Sequence, residues 1–389
     1  MSSMVMECID RFCYMEFCQL IEQHIKQLKI KNIVIFGAGI MGLQLSYVLK
    51  AYNLCTYAFA DNNSNKWGTK WGDIPVVGAQ ALMNVENAFV FLAMEKYRDS
   101  MIQLEEMGYK KNDDFLVVAE QAADKYVRDF VDKNTAETLI LGDCTLNTVS
   151  LCEQEKESLF EKFNNSPGIK VLAQNGTYMR FYYNILQMCI CNMSKLNKVL
   201  LMFSVDIFSN QYHLLPANQH KDILEKVCKA GKEHSKEISD FLREVEIRDN
   251  SNVINFSSPN RGIESSEMIL RELMNHTKIS YLYHMKKGNE SLEYLGRFIK
   301  LCHDHQIECI CFFLPVNFEL GLELFSCDFI EKYERNKAEI CDCIYREKGF
   351  FCDLSYLLRR DRFMAIRSSN EGIYSEGRNE IYSRVKRYL

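Results

Sequence analysis

The stretch Asn32-Ile33-Val34-Ile35-Phe36-Gly37-Ala38-Gly39-Ile40-Met41-Gly42 decides the fold of the first part of the chain. Its first five residues form a short, continuous apolar run, as a strand buried on both faces of a parallel sheet requires. The glycines that follow have the spacing G-x-G-x-x-G, and Met41 to Tyr52 reads as a helix. In such a strand-turn-helix unit the first glycine makes the tight turn. The second lets the backbone approach a phosphate, and the third packs helix against strand. The helix N-terminal N–H groups then face an anion. A second strand, Thr56 to Ala60, ends at Asp61, which lies 24 residues after Gly37, where an acid can hold a ribose hydroxyl. The candidate ligand-binding residues are therefore Gly37, Ala38, Gly39, Ile40, Met41 and Gly42, with Asp61 and Asn62. The competing reading is a Rossmann-like scaffold whose glycines serve packing alone.

Outward from this turn the chain keeps alternating. Strands are predicted over 88–93 and 114–118, with a helix over 97–107, so the first part is a Rossmann-like parallel sheet. Upstream, Val5, Cys8, Ile9, Phe12, Cys13, Phe17, Leu20, Ile21, Ile25 and Leu28 recur at helical spacing and predict a lead helix over 5–28 packed on that sheet, with a partner-binding helix as the alternative. The polar stretch 120–137 reads as a bridging helix. A second α/β series follows, with strands predicted at 138–141, 169–172, 198–204, 308–314 and 350–353. Helices are predicted within 219–247 and 263–286, and at 291–305, 329–348 and 377–389. The domain reading is 1–120 for the nucleotide-binding unit, 121–136 for a connecting helix and 137–389 for the second domain.

Composition narrows the function classes. The chain has 389 residues, enough for two cores, with 47% hydrophobic and 25% charged residues and a net charge of −5. No lysine- and arginine-rich block gives a nucleic-acid footprint, and the 20 tyrosines and 24 phenylalanines lack the basic interleaving of a single-strand stacking platform. The longest apolar stretch, Ile33 to Leu49, contains three glycines, Gln44 and Ser46, so it is strand-turn-helix rather than a membrane span. Sixteen cysteines without a basic, cleavable N-terminal segment point to free thiols in a reducing cytoplasm. Three Cys-x-Cys pairs occur, at 189/191, 309/311 and 341/343, with His303-Asp304-His305 before the second. No two cysteines have the Cys-x-x-Cys spacing, so no metal is expected.

Downstream of the glycine turn, Phe59-Ala60-Asp61-Asn62-Asn63, Lys66-Trp67-Gly68 and Ile74-Pro75-Val76-Val77-Gly78 resemble the N-terminal domain of bacterial UDP-amino-sugar acetyltransferases over about residues 31–118. Asp73 stands where that family's last segment has glycine. The resemblance implies a nucleotide sugar as the ligand, with NAD(P) as the alternative, and a place in bacterial glycan metabolism. The hexapeptide repeats that carry acetyl transfer in that family are absent, so that activity does not come with it.

From Thr138 onward the chain resembles SGNH/GDSL-type hydrolases and acyltransferases. The carriers are Leu141-Gly142-Asp143-Cys144, Asn175-Gly176, Ser204 to Asn210, and Glu371 to Arg378. The resemblance implies a flavodoxin-like three-layer α/β/α domain that hydrolyses or transfers acyl esters, with a glycan or acyl donor as partner. Its nucleophilic serine is replaced by Cys144. Its catalytic histidine is missing, with Gly372 or Tyr374 in its place. Carried over, the site comprises Asp143, Cys144, Gly176, Asn175, Asn210 and Tyr374. A thiol needs its base less than a hydroxyl does, whereas Tyr374 makes a weak base at neutral pH. Two further readings compete. Asp143 can be a cap and Cys144 a buried small side chain, which makes the domain a non-catalytic binding module beside a nucleotide-sensing Rossmann domain. The other is an NAD(P)-dependent oxidoreductase.

Overall fold

The computed structural model describes residues 12–71, 73–94, 96–209, 220–231, 236–247, 266–364 and 372–389. They fall into two compact units, one running to Ala123 and the other built from residues 124–253 and 269–389. Each contains a parallel sheet, with helices on both sides, so the chain is a two-unit α/β protein.

In the first unit the sheet order is Lys70–Trp71, Ile74–Gly78, Thr56–Asp61, Asn32–Phe36, Ala88–Leu92, Phe115–Val117. All neighbours are parallel except the short Lys70–Trp71 strand. The first strand, Asn32–Phe36, lies between Thr56–Asp61 and Ala88–Leu92, so the order reverses beside the glycine turn. Ligands of open parallel sheets bind at such a reversal. Val34 and Phe36 pack on one face with Val90, Leu92, Leu104 and Phe115. Ile33 and Ile35, pointing the other way, are equally buried, which explains why the strand reads as an unbroken apolar run. The lead helix spans Met15–Leu28, and Phe12–Tyr14 is a strand, so the 5–28 expectation is corrected at its start. Three consecutive residues of strand-forming or neutral type (Phe, Cys, Tyr) outweigh the helical spacing there, and residues 1–11 lie outside the described set.

In the second unit the sheet order is Ile169–Ala173, Thr138–Gly142, Lys198–Phe203, Glu308–Phe313, Phe350–Asp353, all parallel. Numbered along the chain this is 2-1-3-4-5, the flavodoxin-like order, whose reversal lies between Thr138–Gly142 and Lys198–Phe203. Leu200 and Met202 share a core with Ile140, Val171, Ile310 and Phe312, while Val199, Leu201 and Phe203 are buried on the opposite face. Helices Lys221–Ala230, Lys236–Ile247, Ser266–Tyr281, Glu290–Asp304 and Cys327–Arg346 correspond to predicted ones. Helix Met179–Asn192, MRFYYNILQMCICN, does not: every position from Met179 to Cys189 except Gln187 is buried, so it shows no polar face that would reveal a helical period.

Candidate functional site

The carboxyl edge of the second sheet is built from short turns. Thr138–Gly142 runs into Asp143, whose Oδ1 accepts the Thr145 N–H at 2.9 Å and caps the four-residue helix Cys144–Asn147. Gly142 gives room to Leu146: a Cβ there would lie 2.3 Å from Leu146 Cδ1 and 2.8 Å from its Cγ, so that side chain would have to shift. This fold-back puts Cys144 at the first position of the turn, at the sheet's reversal. Cys144 is 7% exposed. Burial raises the Asp143 carboxyl above its ordinary range, and the Thr145 amide works against that.

The neighbouring turn, after Ile169–Ala173, is tied to this one. Gln174 N–H donates to Gly142 O at 3.1 Å, and Asn147 Nδ2 donates to Ala173 O at 3.2 Å. Gly176 has φ +64°, a left-handed conformation that favours glycine. Asn175 carries a side-chain oxygen, Oδ1, that is buried and accepts no hydrogen bond. The Thr177 hydroxyl is bonded to the Tyr182 hydroxyl. Burial pushes the Tyr182 phenol up, and the nearby Asp143 and Cys144 add to that shift. The two turns thus form one small polar neighbourhood around Cys144.

A histidine joins it that the sequence motifs did not point to. His220 Nε2 donates to Gly176 O at 3.2 Å, and its ring meets Phe181 edge-on at 5.0 Å. Because a carbonyl only accepts, the proton of the neutral ring sits on Nε2 and Nδ1 is left as an acceptor. Burial holds the imidazole down to about 4, against the opposing pull of the Gly176 and Asn175 carbonyls. By contrast, His284, His303 and His305 are exposed. His220 itself adopts φ 45°, ψ 42° at the start of Lys221–Ala230, a strained cap that no local sequence rule anticipates.

The remaining predicted residues are placed as follows. Asn210 lies outside the described residues. Tyr374 precedes the closing helix Ser375–Val385 and donates its N–H to Arg362 O at 2.9 Å. Gly372, the other residue at the missing histidine's place, has φ +74° and accepts the Met364 N–H at 2.7 Å, a turn that explains the glycine. Arg378, one turn later, is fully buried. It donates to the backbone carbonyls of Glu157, Glu155 and Ile373 and pairs with Glu153 at 3.3 Å, so it anchors the closing helix to the 153–157 loop. No group of three or more His, Cys, Asp or Glu side chains able to hold a metal ion occurs among the described residues. The fourteen cysteines whose side chains are described are free thiols.

In the first unit, Asp61 is a hub for the glycine turn. Its Oδ2 accepts the Ala38 N–H at 3.0 Å and Lys66 Nζ at 2.8 Å, and its Oδ1 accepts the Asn63 N–H at 2.8 Å. Lys66 Nζ also reaches Ala38 O at 2.8 Å. Asn62 Nδ2 donates to Gln103 Oε1 at 2.9 Å. The three glycines differ. A Cβ on Gly37, at φ +120°, would lie 2.5 Å from Ala93 O, and one on Gly42 2.2 Å from Gly37 O, but one on Gly39 meets nothing within 4 Å. Gly39 opens helix Ile40–Ala51 with no side-chain cap, so with Ile40 and Met41 it leaves first-turn N–H groups without an intrahelical partner.

No protein-family model matches the chain, and no curated protein matches it in sequence. Solved structures do resemble it. A protein of Streptococcus pneumonia described as a platelet activating factor is 12% identical, with a TM-score of 0.35, over 75% of this chain and 98% of the other. A carbohydrate acetylesterase family member from Sinorhizobium meliloti is 8% identical, with a TM-score of 0.29, over 65% of this chain and 96% of the other. Likeness at this level concerns fold alone. Among the described residues no helix is long and apolar enough to cross a membrane.

Proposed function

We propose that the second unit is a thiol-dependent acyl-ester hydrolase or acyltransferase with Cys144 as nucleophile. The observation that carries this reading is the neutral His220 on the Gly176 carbonyl, at the turn hydrogen-bonded to the one that bears Cys144. Triads are recognised by geometry rather than chain order, so a histidine arriving from position 220 can serve where the closing block supplies none. In the reaction the Cys144 thiol gives its proton to His220 Nδ1, and the sulfur attacks the acyl carbonyl carbon. The resulting oxyanion is stabilised by the Cys144 and Gly176 N–H groups and the Asn175 side-chain amide. The ester C–O bond then breaks, and the alcohol leaves with the proton held by His220. Water, or the hydroxyl of an acceptor, attacks the thioester and regenerates the thiol. A ring pulled down to about 4 is unprotonated at neutral pH but a weak base, so slow turnover is expected. The test is hydrolysis of p-nitrophenyl acetate by Cys144→Ala and His220→Asn. Both should lose most of the rate; unchanged rates in Cys144→Ala overturn the assignment.

For the first unit we propose a nucleotide sugar at the Gly37–Gly42 turn, in keeping with a role in bacterial glycan metabolism. The open space at Gly39 and the Lys66 ammonium beside Ala38 suit a phosphate. Asp61, engaged by two N–H groups and Lys66, fixes the shape of the turn, and since both ligands carry a ribose diol the choice between them rests on the resemblance of the surrounding segments. A thermal-shift series with UDP-N-acetylglucosamine and NAD(H) separates the two; a shift with NAD(H) alone sinks the proposal.

A further inference from the structure

Among the described residues, the arginines near the end of the chain are matched to carboxylates with two exceptions. Arg359 lies 4.0 Å from Asp361, Arg360 pairs with Glu323, Arg362 with Glu376 and Glu380, and Arg378 with Glu153. Arg384 and Arg387 have no carboxylate partner among the described residues, although both are exposed and stand three residues apart, on one face of the chain's last helical turns. They line a cavity of about 370 Å³ beside the end of strand Phe350–Asp353. The acid in that cavity does not balance them, because Asp353 is held by Lys337 Nζ at 2.9 Å and by the Ser355 N–H at 2.9 Å.

The rest of the wall is aromatic and fixed. Tyr388 meets Phe312 edge-on at 5.3 Å, its hydroxyl lies 3.7 Å from Cys352 Sγ, and its carbonyl accepts Lys198 Nζ at 2.8 Å. Tyr356 meets Phe318 edge-on at 4.7 Å, and its hydroxyl bonds Glu334. Both tyrosines nevertheless stay substantially exposed. Two guanidinium forks without carboxylate partners, beside aromatic walls held by these contacts, can receive an anion. The volume is at the lower end of the range for small-ligand sites, roughly 300–1,000 Å³. It suits a single sugar ring better than a dinucleotide.

We propose that this cleft binds a phosphorylated sugar, with Arg384 and Arg387 on the phosphate and Tyr356 and Tyr388 against the ring. Its lining residues are distinct from those assigned to the Cys144 site, and the proposal does not depend on that reading. The competing account is that both arginines serve only to complement the C-terminal end of the helix dipole.

The experiment is calorimetric titration of the full chain with glucose 1-phosphate, glucose and inorganic phosphate, repeated on an Arg384→Gln/Arg387→Gln double variant whose folding is checked by its thermal melt. Saturable binding of glucose 1-phosphate, none of glucose, weaker binding of phosphate, and a loss on the order of tenfold or more in the variant bear the proposal out. Absence of saturable binding at millimolar ligand overturns it. So does unchanged affinity in a double variant that melts at lower temperature, which is what the dipole account requires. Inorganic phosphate binding as tightly as the ester overturns the sugar-ring part.

Discussion

His220 Nε2 stands 3.2 Å from the carbonyl oxygen of Gly176, joining the start of helix Lys221–Ala230 to a left-handed turn 44 residues earlier in the chain. The contact has a thermodynamic signature. The ring is held down to about 4 in the fold, against about 6.5 in an unfolded chain. Between those values the unfolded chain binds the proton and the folded chain does not, so stability falls as the pH is lowered from 6.5 toward 4. Above about pH 6.5 the effect vanishes. Urea melts at pH 7 and pH 5 should show His220→Asn losing about 2 kcal/mol less than the parent chain. Equal losses mean that His220 titrates as an exposed histidine does.

Asp143 runs the other way. Its carboxyl is raised by burial, so the fold favours the protonated form and stability is lost as pH rises through the carboxylate range. Asparagine keeps the oxygen that accepts the Thr145 N–H and removes the buried charge. Asp143→Asn should therefore leave stability at pH 7 unchanged or raise it by up to about 1 kcal/mol, while Asp143→Ala loses about 1 kcal/mol with the cap. Denaturation midpoints of the two variants at pH 7 check this.

The glycine turn separates into two structural residues and one open residue. Gly37→Ala meets a backbone oxygen at 2.5 Å in a left-handed conformation, and Gly42→Ala meets another at 2.2 Å. Each should cost about 2 kcal/mol or more. Gly39→Ala meets nothing. It should melt with the parent chain yet weaken the thermal shift given by UDP-N-acetylglucosamine, since the added methyl stands where backbone would approach a phosphate.

Arg378 is buried with one carboxylate partner, Glu153, and three carbonyls. Burial lowers its pKa, opposed by Glu153, yet the guanidinium remains the cation of the pair. Arg378→Met leaves Glu153 with only the Ser375 N–H as donor, takes the guanidinium donor from those carbonyls, and should cost about 3–5 kcal/mol. Arg378→Met combined with Glu153→Gln should recover part of that loss, measured in the same urea melts.

The sequence was most legible where local and tertiary demands coincide. Ile33–Phe36 and Thr138–Leu141 read directly as buried strands because both their faces are covered, and Gly37 and Gly142 mark their ends because a Cβ would collide there. Legibility failed where long-range packing decides. Phe12–Tyr14 has helical spacing but is extended. Met179–Asn192 is buried nearly all round, and so carries no amphipathic period. His220 was invisible because its role depends on a contact with Gly176 that no motif spacing encodes. Arg378 closed the block Glu371 to Arg378 that carries the hydrolase resemblance, yet its carbonyl partners at 155 and 157 could only be found in three dimensions.

The proposed reaction has Cys144 carry an acyl group during turnover. The most direct measurement is peptide mapping by mass spectrometry after the full chain is mixed with p-nitrophenyl acetate and quenched in acid. The account requires an acetyl group on the Cys144 peptide that decays on the timescale of p-nitrophenol release and is absent from Cys144→Ala. Acetylation confined to exposed thiols such as Cys55, Cys152 and Cys327, with Cys144 unmodified throughout turnover, would contradict it.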